Sequence, residues 1–260
     1  GAYGNDGNNN SNSKDYSTDG HVRIYQNNNG SWQQIGSDID GEWADDESGN
    51  SVSLSSDGSI VAIGAYRNAS NGWESGHVRI YQNNSGSWQQ IGSDIDGEAA
   101  GDWSGHSVSL SSDGSVVAIG AEYNAGNGSS SGHVRIYQNS SGTWQQIGSD
   151  IDGEAADDWS GYSVSLSSDG SVVAIGAYGN DGNDDISQLG YSNHRYNSRG
   201  HVRIYQNNSG TWTQIGSDID GEATGDKSGY SVSLSSDGSI VAIGAKENAG
   251  NGSSNGHVRI

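Results

Sequence analysis

One unit of about 56 residues recurs through the whole chain. It reads GHVRIYQ, a short Asn/Ser/Gly turn, WQQIGSDIDGE or a close variant, an acidic stretch, and then SVSLSSDGS(I/V)VAIGA. Its Gly-His step falls at Gly20, Gly76, Gly132, Gly200 and Gly256, so the spacings are 56, 56, 68 and 56. A fixed period in this range predicts a propeller, a solenoid or an array, in which neighbouring units cover each other's apolar faces.

Within one unit, Ser51-Val52-Ser53-Leu54-Ser55 alternates polar and apolar, the signature of a half-buried strand. Ser56-Asp57-Gly58-Ser59 reads as a tight turn. Ile60–Ala65 is a short, β-branched apolar run, which predicts a strand covered on both faces. His77–Tyr81 alternates again, and Ser87–Gly92 supplies a fourth strand. There Trp88 and Ile91 have opposite parity, so a bulge or burial on both faces is expected. Four antiparallel strands per unit, with no helical periodicity, predict an all-β fold of β-propeller-type tandem repeats, four strands to a blade of about 56 residues. The boundaries read as a partial repeat at 1–50, repeats at 51–106, 107–162 and 163–230, and a partial repeat at 231–260. The third full repeat carries an insertion at 178–199.

The formal charge is −21, from 11 Lys plus Arg against 32 Asp plus Glu. This argues against nucleic acid and anionic membranes as partners and favours cations. Cys is absent, so neither a disulfide framework nor thiolate chemistry is available. No apolar run approaches the roughly 20 residues a membrane helix needs.

The segments Gly161–Leu166, Val172–Ala177 and Gly200–Tyr205 resemble the FG-GAP repeat, the blade motif of integrin-α-type β-propellers. The resemblance implies an extracellular or cell-surface propeller. It also implies a calcium loop between the first two strands, but here that loop is only Ser-Ser-Asp-Gly, at Asp57, Asp113, Asp169 and Asp237. One carboxylate cannot supply the six to eight oxygens calcium takes.

Acidic residues gather instead after the fourth strand, at Asp38, Asp40 and Glu42; Asp94, Asp96 and Glu98; Asp150, Asp152 and Glu154; and Asp218, Asp220 and Glu222. Such loops are candidate calcium sites. The other reading is a solvated loop whose carboxylates cap turns and pair with the strand arginines. Those arginines, Arg23, Arg79, Arg135, Arg203 and Arg259, recur in every copy and predict ion pairs between blades. The strand histidines read as hydrogen-bonded structural residues, one per copy.

Asn-x-Ser sequons at Asn29, Asn83, Asn139 and Asn207 fall in the turns between the third and fourth strands, as candidate glycosylation sites. Tyr191, His194, Arg195 and Tyr196, in the long insertion, are candidates for partner binding to a glycan or a protein. No nucleophile elbow, phosphate loop or HExxH motif occurs, and repetition weighs against a single active site. The sequence therefore predicts a non-enzymatic extracellular scaffold, structural or adhesive, in a surface layer, fibre or appendage. Self-association through open blade edges, or contact with neighbouring repeats of a longer chain, would build it. A ligand-binding propeller module is the alternative.

Overall fold

A computed structural model describes residues 1–2, 19–181, 198–249 and 255–260. The fold is all-β and propeller-type, and no helix occurs among the described residues. In a complete blade the inner strand is Ser107–Leu110, the second Val116–Ala121, the third His133–Ser140 and the outer Thr143–Gln146. Each pairs antiparallel with the next. A two-residue strand, Ile151–Asp152, returns to pair with His133 and Val134. The same five strands recur over Ser51–Asp96 and Ser163–Asp220. Before them lie His21–Val22, Tyr25–Asn28, Ser31–Gln34 and Ile39–Asp40; after them lie Ser228–Leu234, Val241–Ala245 and His257–Arg259.

The turn chemistry follows from one aspartate per blade. Asp113 accepts hydrogen bonds from the Ser115 amide (2.9 Å) and from the Ser111 and Ser115 hydroxyls (2.7 Å each). These bonds favour the carboxylate, and the equivalent Asp57 is held down to about 2. The short loop is thus a closed Asp turn, with its carboxylate spent on the turn itself.

The second strand is covered on both faces, as its composition predicts. Val61 and Ile63 pack on Val22, Ile24 and Ile39 of the preceding unit, while Ala62 belongs with Val117 and Ile119 of the following one. The outer strand ends at Gln90, one residue before Ile91, whose amide bonds the Ile80 carbonyl at 2.8 Å. Trp88 therefore packs on the preceding blade, its indole N–H donating to the Ile35 carbonyl at 2.8 Å, and Ile91 joins the cluster shared with the following blade.

Inner strands of successive blades lie against one another. Their free edges are satisfied across the junction. The Leu166 amide donates to Ser109 Oγ at 3.0 Å, Ser107 Oγ donates to the Gly161 carbonyl at 2.7 Å, and the Ser112 amide donates to the Ser168 carbonyl at 2.8 Å. The serines of SVSLSS thus substitute for a further strand, which is why a polar sequence can line this position.

Candidate functional site at the inner-strand ends

The copies agree almost everywhere, so the columns where they differ stand out. Three matter: Glu47, Trp103, Trp159 and Lys227; Asn50, His106, Tyr162 and Tyr230; and Tyr66, Glu122, Tyr178 and Lys246. The first two columns precede the inner strand, except that Tyr230 lies within the longer last copy, Ser228–Leu234, and the third follows the second strand. Antiparallel pairing, with Ser107 opposite Gly120, brings all three to one end of the blade. The first column holds positive φ throughout, from 52° to 58°. That turn aims its side chains across the junction.

The result is a row of rings spanning successive blades. Tyr66 meets Trp103 (4.8 Å between centroids) and His106 (5.7 Å), His106 meets Tyr162 (4.9 Å), and Tyr162 meets Tyr230 (4.9 Å). Tyr178 packs edge-on against Tyr162 at 4.4 Å. Glu122, 4% exposed, places Oε1 3.7 Å from His106 Nε2. Burial pushes the His106 imidazole down to about 4, against a smaller opposing pull from the Tyr162 backbone. His106 is therefore neutral at pH 7.

Tyr162, Tyr230 and Lys246 form the most polarised part of the row. Burial, and then its hydrogen bond to Tyr230, raise the Tyr162 hydroxyl, which keeps its proton. Tyr230 moves the other way. The neighbouring Tyr162 hydroxyl lowers it most, and Lys246, whose Nζ stands 4.4 Å from the centre of its ring, lowers it further. Tyr230 and Lys246 open on a cavity of about 380 Å³, also lined by Ser231, His257 and Val258. A larger cleft of about 750 Å³ lies by the first complete blade, between the exposed indoles of Trp43 and Trp73. Its cation, Arg67, is held by Glu47 (3.0 Å) and Glu74 (3.5 Å), and no comparably polarised pair lines it.

The residues expected from the acidic loops are split by the fold. Asp94, Asp150 and Asp218 each accept from a glutamine, Gln90, Gln146 and Gln214, at 2.6 Å; Asp38 accepts from Gln34 at 2.7 Å. Glu42, Glu98, Glu154 and Glu222 reach the next unit's arginine, at 3.5 to 3.8 Å. Those ion pairs between blades are the ones the recurring arginines predict. Asp40, Asp96 and Asp152 contribute backbone carbonyls, which accept from Arg79, Arg135 and Arg203 at 2.7 Å, and Asp220 does so with Arg259 at 3.0 Å. Each DxDGE segment therefore serves two junctions. The reading of the strand histidines as hydrogen-bonded is corrected for His77. His77 is 1% exposed, and neither of its ring nitrogens has a hydrogen-bond partner. Its polar neighbours, the carboxylates of Asp94 and Glu42, stand beyond hydrogen-bond reach.

Asn83, Asn139 and Asn207 use their side-chain oxygens to cap Gly86, Gly142 and Gly210. Asn29 sits two places later in its turn, at φ 52°, and Asn27 does the capping there. Tyr191, His194, Arg195 and Tyr196 lie outside the described residues. The repeat pattern does not mark the polarised row; its signal in the sequence is the difference between copies at its three positions.

No family model and no curated protein matches the chain. Among solved structures, it is similar to a protein of Bacteroides uniformis named a "putative 6-phosphogluconolactonase". The TM-score is 0.51 and the identity 12%, over 80% of this chain and 50% of that one. A protein of the same name from Bacteroides fragilis matches at TM-score 0.46 and 14% identity, over 71% of this chain and 42% of that one. The chain spans about half the length, or less, of these structures. The likeness is one of fold.

Two expectations are corrected by these findings. The FG-GAP resemblance does not hold, since no family model matches and the similar Bacteroides uniformis structure bears a lactonase's name, not that of an integrin-type repeat. The glycines of the Gly-Ala and Gly-His steps follow from close approach in this chain: a Cβ on Gly120 would meet the Gly161 carbonyl oxygen, and one on Gly132 the Ser160 carbonyl oxygen. The expected non-enzymatic structural or adhesive role, with its filament and surface layer, is corrected to this extent: the similar Bacteroides uniformis structure carries an enzyme's name. Repetition was a poor argument against catalysis, since the copies break symmetry at the inner-strand ends.

Proposed function

We propose that the chain is a hydrolase of cyclic esters, acting on a neutral polyhydroxylated lactone in the cavity beside Tyr230. The observation that carries this reading is the placement of Tyr230 at the edge of a cavity, with the Tyr162 ring 4.9 Å and Lys246 Nζ 4.4 Å from its own ring, two neighbours that both lower its hydroxyl. A group tuned in this way is suited to general-base work. Tyr230, as phenolate, takes a proton from water as the oxygen adds to the lactone carbonyl. Lys246 faces the negative charge that develops on the carbonyl oxygen. Collapse breaks the ring C–O bond, the ring oxygen regains a proton from Tyr230, and a hydroxy acid leaves. The name borne by the similar structures supports the reaction class.

The charge balance favours a neutral substrate over a phosphorylated one. The chain carries −21, and one cation beside the site, Lys227, is already engaged by Glu247 at 2.7 Å. Acid release from glucono-δ-lactone and from its 6-phosphate, followed by pH-stat against the spontaneous rate, tests the reading. The expected result is catalysed opening of the neutral lactone, at least 10-fold faster than of the phosphate ester, with kcat rising as pH climbs through the lowered Tyr230 pKa. Ring opening at the spontaneous rate for both would overturn it.

A further inference from the structure

We propose that the blade junctions are binding sites for a divalent transition-metal ion such as zinc, each built from a buried histidine, an aspartate of the same blade and a glutamate of the preceding one. Three junctions carry the set: Glu42, His77 and Asp94; Glu98, His133 and Asp150; and Glu154, His201 and Asp218. In each, one ligating atom per residue lies within 4.8 Å of the others.

The spacing is the first argument. His77 Nδ1 stands 3.7 Å from Asp94 Oδ2; His133 Nδ1 stands 3.8 Å from both Glu98 Oε2 and Asp150 Oδ2; His201 Nδ1 stands 3.8 Å from Glu154 Oε2. These are too long for hydrogen bonds. An ion held about 2.0–2.2 Å from a nitrogen and a carboxylate oxygen sets them about 3.3–3.6 Å apart at tetrahedral geometry. These histidine–carboxylate pairs need to close by only a few tenths of an ångström, and the other pairs of each set, within 4.8 Å, by up to about 1.5 Å.

The second argument is independent of the carboxylates. His77 is 1% exposed with both ring nitrogens unpartnered, and Nδ1 stands 3.7 Å from Asp94 Oδ2, with a Glu42 carboxylate oxygen within 4.8 Å. A buried imidazole without partners is costly unless something binds it.

The surrounding shell is the third. The other oxygen of each carboxylate is already engaged. Gln90 and Gln146 donate to Asp94 Oδ1 and Asp150 Oδ1 at 2.6 Å, and Arg135 and Arg203 face Glu98 Oε1 and Glu154 Oε1 at 3.6 and 3.7 Å. Each oxygen left over is the one that faces the histidine. Outer donors of this sort fix the orientation of ligating groups. Asp94 also lines an open groove of about 290 Å³, with Tyr137 and Trp144, which gives an ion and a fourth, water ligand access.

One imidazole and two carboxylates select zinc, manganese or cobalt over calcium, which prefers an all-oxygen shell. The set also draws on two blades, so a bound ion ties one to the next. Titration of tag-free, chelator-treated protein with cobalt, read by its visible absorption, and with zinc, read by calorimetry, tests the proposal. The expected result is at least three equivalents, falling by one in Asp94→Asn and in His77→Gln, with calcium unable to displace cobalt. Asp94 is partly exposed, so its variant keeps the test open if His77→Gln fails to fold. Zinc at 100-fold excess over its Kd should raise Tm by about 5 °C or more. An absent cobalt band, a stoichiometry unchanged in Asp94→Asn, or displacement by calcium would overturn the proposal.

Discussion

Tyr137 and Tyr230 show how the same side chain takes different roles. Tyr137 is buried in the cluster between two blades, with Arg135 5.6 Å from its ring, and burial raises its hydroxyl. Tyr230 is lowered because a phenol and an ammonium both favour its anion. His106 makes a further test at this scale. Its folded-state pKa, about 4, lies below the value near 6.5 of an unfolded chain. The unfolded chain thus binds the proton more tightly. The stability that neutral His106 contributes is fully present above pH 6.5 and is lost as pH falls towards 4. His106→Gln should remove about 2 kcal/mol of that acid sensitivity, measured by urea unfolding at pH 7 and pH 4.5.

At the scale of the strand, close approach between blades sets the tolerance. A Cβ on Gly120 would overlap the Gly161 carbonyl oxygen and Ser107 Oγ, so Gly120→Ala should destabilise by about 1–3 kcal/mol in chemical unfolding. Ser109→Ala removes the acceptor of the Leu166 amide and should cost about 1 kcal/mol or more. Much of this level was readable from sequence. Alternation marked Ser107–Leu110, Asp113-Gly114 marked the turn, and the opposite parity of Trp88 and Ile91 announced burial on both faces. The inter-blade role of the serines was not readable, because a hydroxyl that completes a neighbour's backbone looks like any polar alternation. The site was hidden for a related reason. His106 and Glu122 are 16 positions apart and meet only because two strands run antiparallel, and Tyr230 meets Tyr162 only because two blades pack.

For the whole molecule, identical residues acquire different weights from their place in the series. Leu54 and Leu110 occupy the same position of successive inner strands, yet Leu54 is 49% exposed and Leu110 7%. Leu110→Ala should cost about 2–5 kcal/mol, and Leu54→Ala well under half of that. The same logic governs function, since repeated positions build the scaffold and the positions that differ between copies carry the chemistry. The most direct test compares one substitution at both kinds of position. Tyr230→Phe and Tyr137→Phe, in the same lactone-opening assay, each remove one hydroxyl. The account predicts a loss of roughly 10²–10⁴-fold in kcat for Tyr230→Phe and a rate within 3-fold of the parent for Tyr137→Phe. Equal rates in the two variants would contradict it.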